Sequence, residues 1–84
     1  MTKLSIYSVK DKKAEAFLQP FTTTTNGMAI RMMLATMEQE NNLSKYPEDF
    51  SLWKIGEFEE GTGTINGFDD IVFISQLSDL KTTK

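Results

Sequence analysis

The side chains best able to do chemistry in this chain are cations and rings, and they gather early. Lys3, Tyr7, Lys10, Lys12 and Lys13 precede Phe17 and Phe21, and Arg31 follows. Cations interleaved with rings are what single-stranded nucleic acid requires, charge to track the phosphates and flat faces on which bases stack. The same rings fit a core equally well. Phe17 and Phe21 are of a type usually buried, and Tyr7 suits either place because its hydroxyl favours a wet end.

Other chemistries are poorly supplied. The chain has neither His nor Cys, which removes the Ser-His-Asp and Cys-His arrangements and the usual zinc ligand sets. No phosphate-cradling glycine loop, dinucleotide fingerprint or calcium loop is present. Glu57, Glu59 and Glu60, and Asp69 with Asp70, could hold Mg²⁺ or move protons. They fall where turns are expected, and there a solvated charge run is ordinary. A chain of 84 residues also leaves little room for a buried pocket. The expectation is a binding protein and not an enzyme, with no cofactor and no metal site.

The elements that must position these groups read as α+β. Residues 3–9 alternate apolar and polar, a strand period. Residues 14–21 read as a second strand, with Pro20 at an edge or a strand end because it donates no ladder hydrogen bond. Residues 22–25 are four threonines, good linker and cap material. A helix is expected over residues 27–39, capped by Thr25 or Asn26, with Ile30, Met33, Leu34 and Met37 along one face. Its methionines read as core filling before partner surface.

After a connection over residues 43–49, residues 50–58 form an aromatic-rich strand. Strict alternation sends Phe50, Leu52 and Phe58 one way, and Trp53 and Ile55 the other. Such a strand is covered on both faces or offers one to a partner. Trp53, Ile55 and Phe58 are accordingly the candidate oligomer interface. Residues 59–63 form a glycine-bearing turn, residues 64–66 return, and Asn66-Gly67 signals a second turn. Residues 71–74, Ile-Val-Phe-Ile, read as a strand in the middle of a sheet. The whole is one domain over residues 1–80, a small, mostly antiparallel sheet of about five short strands. One amphipathic helix packs across it, in the order ββαβββ. Residues 78–84 read as a polar, frayed tail, flexible from residue 81.

Charge and size bound the partners. Residues 1–37 carry five basic groups against two acidic ones, and residues 38–84 carry four against ten. A net charge of −3 argues against a diffuse nucleic-acid footprint and confines any such surface to the first half. No run approaches a membrane span, and the first residues hold no signal-peptide core. Without disulfides, so small a core points to a reducing compartment and to a homodimer or higher oligomer.

Three segments carry a resemblance: LSIYSVKDKKAEAFLQPF, NGMAIRMM and KYPEDFSLWKIGEFEEGTG, in this order and spacing. Together they make the chain similar to the small nonstructural protein of gokushovirus-type microviruses, single-stranded DNA phages of bacteria. That resemblance implies a viral accessory protein in the cytoplasm of the bacterial host. It implies binding of the viral single-stranded DNA, with a part in the switch from duplex replication to single-strand synthesis and in packaging. The residues expected at the DNA are Lys3, Tyr7, Lys10, Lys12, Lys13, Phe17 and Arg31. The competing expectation is an adaptor that docks on a replication initiator or procapsid protein through the acidic, apolar second half.

Overall fold

A computed structural model describes residues 3–81. Strand β1 (Lys3–Asp11) is the centre of the fold. On one side it pairs antiparallel with β4 (Phe50–Glu59), which pairs in turn with β5 (Thr64–Gln76). On its other side lie two short strands, β2 (Ala16–Phe17) and β3 (Phe21–Thr23). These two are the single expected second strand, interrupted at residues 18–20. Pro20 sits in the gap, on the edge, where its missing N–H costs no ladder bond. The backbone stays attached there through the Leu18 N–H, which donates to the Val9 carbonyl at 2.8 Å.

Helix α1 (Asn26–Met37) follows β3. Thr25 caps it, its hydroxyl accepting from the Met28 N–H at 3.1 Å. Thr25→Ala should cost about 1 kcal/mol, read as a lower denaturation midpoint. The buried side of α1 is Ala29, Met33 and Met37, with Ile30 packed against the core beside them. Leu34, expected on that face, is exposed together with Met28 and Met32. The buried face of the helix thus runs through Ala29 and not through Leu34. The methionines therefore divide between core and surface. Helix α2 (Asn42–Lys45) starts with a capping box of Asn41 and Ser44. A 3-10 turn (Pro47–Asp49) then delivers the chain to β4.

One buried cluster joins Tyr7, Val9, Phe50 and Leu52 of the sheet to Ala29, Met33, Met37 and Leu77. Leu77 opens α3 (Leu77–Lys81) and is fully buried, and Leu80 packs beside it. The segment expected to fray is thus a helix as far as Lys81, because two leucines three residues apart share one face. Residues 82–84 of the expected tail lie outside the described residues.

Two further expectations change in the β4–β5 hairpin. The turn over residues 59–63 forms as expected, with Gly63 at φ 76° and its N–H donating to the Glu59 carbonyl at 2.8 Å. That turn already reverses the chain, so Asn66-Gly67 is not a second one. Both residues lie inside β5, opposite Glu57 and Gly56. Gly56 lies close against this part of β5, whereas a methyl group on Gly67 would meet nothing within 4 Å. A methyl group on Gly56 would come within 2.5 Å of the Asn66 carbonyl oxygen and 3.2 Å of the Gly67 Cα. Both contacts are backbone and neither can swing away. Gly56→Ala should therefore cost about 1–3 kcal/mol, measured by denaturant titration, as overpacking does.

The Ile-Val-Phe-Ile run is also not central. It lies in β5, the outermost strand on that side of the sheet. A short apolar run has no periodicity that could distinguish a central strand from an edge.

A candidate nucleic-acid interface on the open sheet face

Register sorts the sheet into two faces, since directly opposed residues of antiparallel strands point the same way. Tyr7, Val9, Phe50 and Leu52 point to the helices. Leu4, Ile6, Ser8 and Lys10 of β1 point to the other face, with Phe58, Gly56, Trp53 and Ser51 opposite them on β4. The buried residues of α1 and α3 all belong to the first cluster, so this second face carries no helix, although Ile6 and Ser8 on it are buried and the Ser8 hydroxyl donates to the Leu18 carbonyl at 2.7 Å.

A bulge decides which aromatics reach the open face. Ile6 opposes Gly56 while Tyr7 opposes Lys54, so Ile55 is an extra residue. Strict alternation puts Phe58 with Phe50 and Leu52. The bulge reverses the parity beyond Ile55 and places Phe58 on Trp53's side.

Two aromatic stations result. At the first, Phe17 stands opposite Lys10. The Lys10 ammonium lies 6.0 Å from the Phe17 ring centre, within reach of a cation–π attraction. Phe17 is 42% exposed. At the second, Trp53 stands opposite Phe73, the ring centres 5.4 Å apart and nearly perpendicular at 72°. The Trp53 indole N–H donates to the Ser51 hydroxyl at 2.9 Å, which fixes the ring. Phe73 is 50% exposed. Strand spacing of about 4.8 Å and a rise of about 3.3 Å per residue put Phe17 and Trp53 on the order of 12 Å apart.

Lys12 and Lys13 follow Lys10 in the chain but leave the sheet face. They sit in the tight turn after β1, where the Asp11 carboxylate accepts from the Lys13 and Ala14 N–H groups at 3.0 and 3.3 Å. The Lys12 N–H donates to the Asp49 carbonyl at 2.9 Å. Lys13 also borders an open groove shared with Asp11, Asn42, Tyr46, Asp49 and Phe50.

The other expected DNA-facing residues lie elsewhere. Tyr7 is fully buried. Its ring stacks on Phe21, centres 5.8 Å apart, and its hydroxyl donates to the Asn26 side-chain oxygen. It is a core residue tying β1 to the start of α1, and its ring is closed to a base. Lys3 lies at the far end of β1 on the helix-facing side, 3.9 Å from Glu57, which also holds Lys54 at 3.8 Å. Arg31 is exposed on α1, two residues from each of Ala29 and Met33 and hence on the helix's outer side. Of the seven expected residues, the fold brings together Lys10, Lys12, Lys13 and Phe17.

Trp53, Ile55 and Phe58 are all half-buried on β4, an inner strand flanked by β1 and β5. None of them offers a free strand edge. Phe73 was missed by sequence reasoning. The one available signal was that its apolar run directly follows Asp69-Asp70, and flanking charge is common on edge strands.

Fold and site together define a small α+β protein with a curled antiparallel sheet, covered by helices on one face and aromatic on the other. Its family is shown by sequence. A model of the Phage ORF5 protein family matches residues 4–80, and the chain belongs to that family. It is therefore a phage protein. No curated protein and no solved structure matches it. Among the described residues no helix is long and apolar enough to cross a membrane.

Proposed function

We propose that this phage protein is a non-enzymatic accessory protein that binds single-stranded DNA. It would act in the host cytoplasm during genome replication and packaging, at the switch from duplex to single-strand synthesis suggested by its resemblance to gokushovirus nonstructural proteins. The observation that carries the reading is the pairing of Lys10 with the exposed Phe17 on the same helix-free sheet face as Trp53 and Phe73, with Lys12 and Lys13 in the turn that follows β1. Bases stack on exposed rings without regard to sequence, while nearby cations track phosphates. The acidic remainder of the chain predicts modest affinity, and a homo-oligomer would raise it by engaging one strand at several sites.

The test is titration of a fluorescent oligonucleotide at low and moderate salt. Binding that weakens as salt rises is expected, by about 0.7 log units per log unit of salt for each phosphate neutralised on single strands. No binding at either salt, or binding without salt dependence, sinks the reading.

A second reading has its own observation. Asp69 and Asp70 adjoin the exposed Ile71, Val72 and Phe73, an acidic and apolar surface suited to a basic protein such as a replication initiator or procapsid component. Pull-down from infected cells should then recover a viral protein after nuclease treatment. Recovery of DNA alone removes this alternative.

A further inference from the structure

We infer that β5 is the self-association edge of this protein, pairing antiparallel with β5 of a second copy about a two-fold axis at Val72. This gives a geometry to the oligomer in the functional reading, and it stands whether or not the ligand is DNA.

Three observations lead to it. The first is an open edge. β5 pairs with β4 on one side, and among the described residues no strand lies on its other side. Edge backbone groups without partners are a template for another strand. The second is the exposure of Ile71, Val72 and Phe73 in succession on that edge. The four residues 68–71 stand opposite the single residue Ile55, so β5 bows away from β4 as far as Ile71, and Val72 and Phe73 are again paired with β4.

The third is charge, and with the apolar run it makes one register of β5 complementary to itself. β5 contains Asp69 and Asp70 and no basic residue. A parallel, in-register partner would set each carboxylate against its own copy, which destabilises a strand pair. The antiparallel register about Val72 avoids this. Val72 meets the partner's Val72, and Ile71 meets the partner's Phe73. Asp70 falls against the partner's Ile74, clear of its carboxylates. Apolar residues oppose apolar residues through the centre, so the strand is complementary to itself. A two-fold axis perpendicular to the sheet also keeps both open faces on the same side. Phe73 and Ile71 share the face of Trp53, so the row Trp53–Phe73 would continue into the partner's Ile71. The two aromatic platforms would become one.

A charge swap at the axis tests this register, because a substitution at Val72 meets itself. Val72 is 46% exposed, so V72K and V72E should both fold, checked by far-UV circular dichroism. Sedimentation velocity over a concentration series should show a dimer for the native protein. Each variant alone should dimerise at least tenfold more weakly, and an equimolar mixture of the two should recover the dimer. In the native protein, amide exchange over residues 71–73 should slow as concentration rises, a readout that needs no variant. A monomeric native protein, unchanged dimerisation of either variant, or a mixture that stays monomeric overturns the inference. Oligonucleotide binding is read separately. If it is absent while the dimer forms, the DNA reading fails and the dimer stands.

Discussion

Tyr7→Ala should remove about 3–5 kcal/mol of folding stability, the usual cost of emptying a buried aromatic site. The reasons are local and additive in kind. Tyr7 is fully buried, on the central strand, stacked on Phe21 and bonded through its hydroxyl to Asn26. Losing the ring opens a cavity under α1, and losing the hydroxyl unties the helix start from β1. A domain of 84 residues has on the order of 4–13 kcal/mol of stability in all, so this change takes much of it. Tyr7→Phe separates the two contributions. It keeps the stack, loses only the hydrogen bond, and should cost about 1 kcal/mol. Urea unfolding of the three proteins gives the comparison. Tyr7→Phe should also leave oligonucleotide affinity unchanged, since the ring is closed to bases. A large loss of binding in that variant would restore Tyr7 to the interface.

Removing Phe17 and Phe73 together should nearly abolish oligonucleotide binding under the proposed function. Base–aromatic stacking is worth about 1–3 kcal/mol per base. Two stations thus account for about 2–6 kcal/mol, on the order of 10- to 10⁴-fold in affinity. Both rings are substantially exposed, so the fold should survive. The largest structural loss is the edge contact of Phe73 with Trp53, worth about 0.5–1.5 kcal/mol. Lys12→Ala and Lys13→Ala should act differently, weakening all sequences alike and flattening the salt dependence. Lys3→Ala and Arg31→Ala serve as comparators. Lys3 sits beside Glu57 on the helix-facing side and Arg31 on the outer side of α1, so both should bind like the native protein. If the comparators weaken binding and the ring variants do not, the open face is the wrong surface.

Much of this was legible in the chain itself. Period-two alternation located β1, threonine marked the helix cap, and the glycine-rich turn closed the long hairpin. Each is a local signal, and local geometry is enough to set it. The cluster of Lys10, Lys12, Lys13 and Phe17 was legible for the same reason. These residues flank one turn, and antiparallel pairing across that turn brings Phe17 opposite Lys10.

What the sequence determined by itself, then, is β1, α1, β4 and the turn that follows it, the basic first half and the membership of a phage family. What only the tertiary structure decided is which face each side chain occupies. One extra residue at Ile55 inverts the alternation of β4, and no periodicity announces a bulge. Burial of Tyr7 depends on where α1 lands, and α1 buries Ala29, Met33 and Met37 while leaving Leu34 exposed. The position of residues 71–74 at an edge depends on which strands pair, a choice made by contacts far apart in sequence. The candidate surface follows from those three choices. It is the face the helices left uncovered.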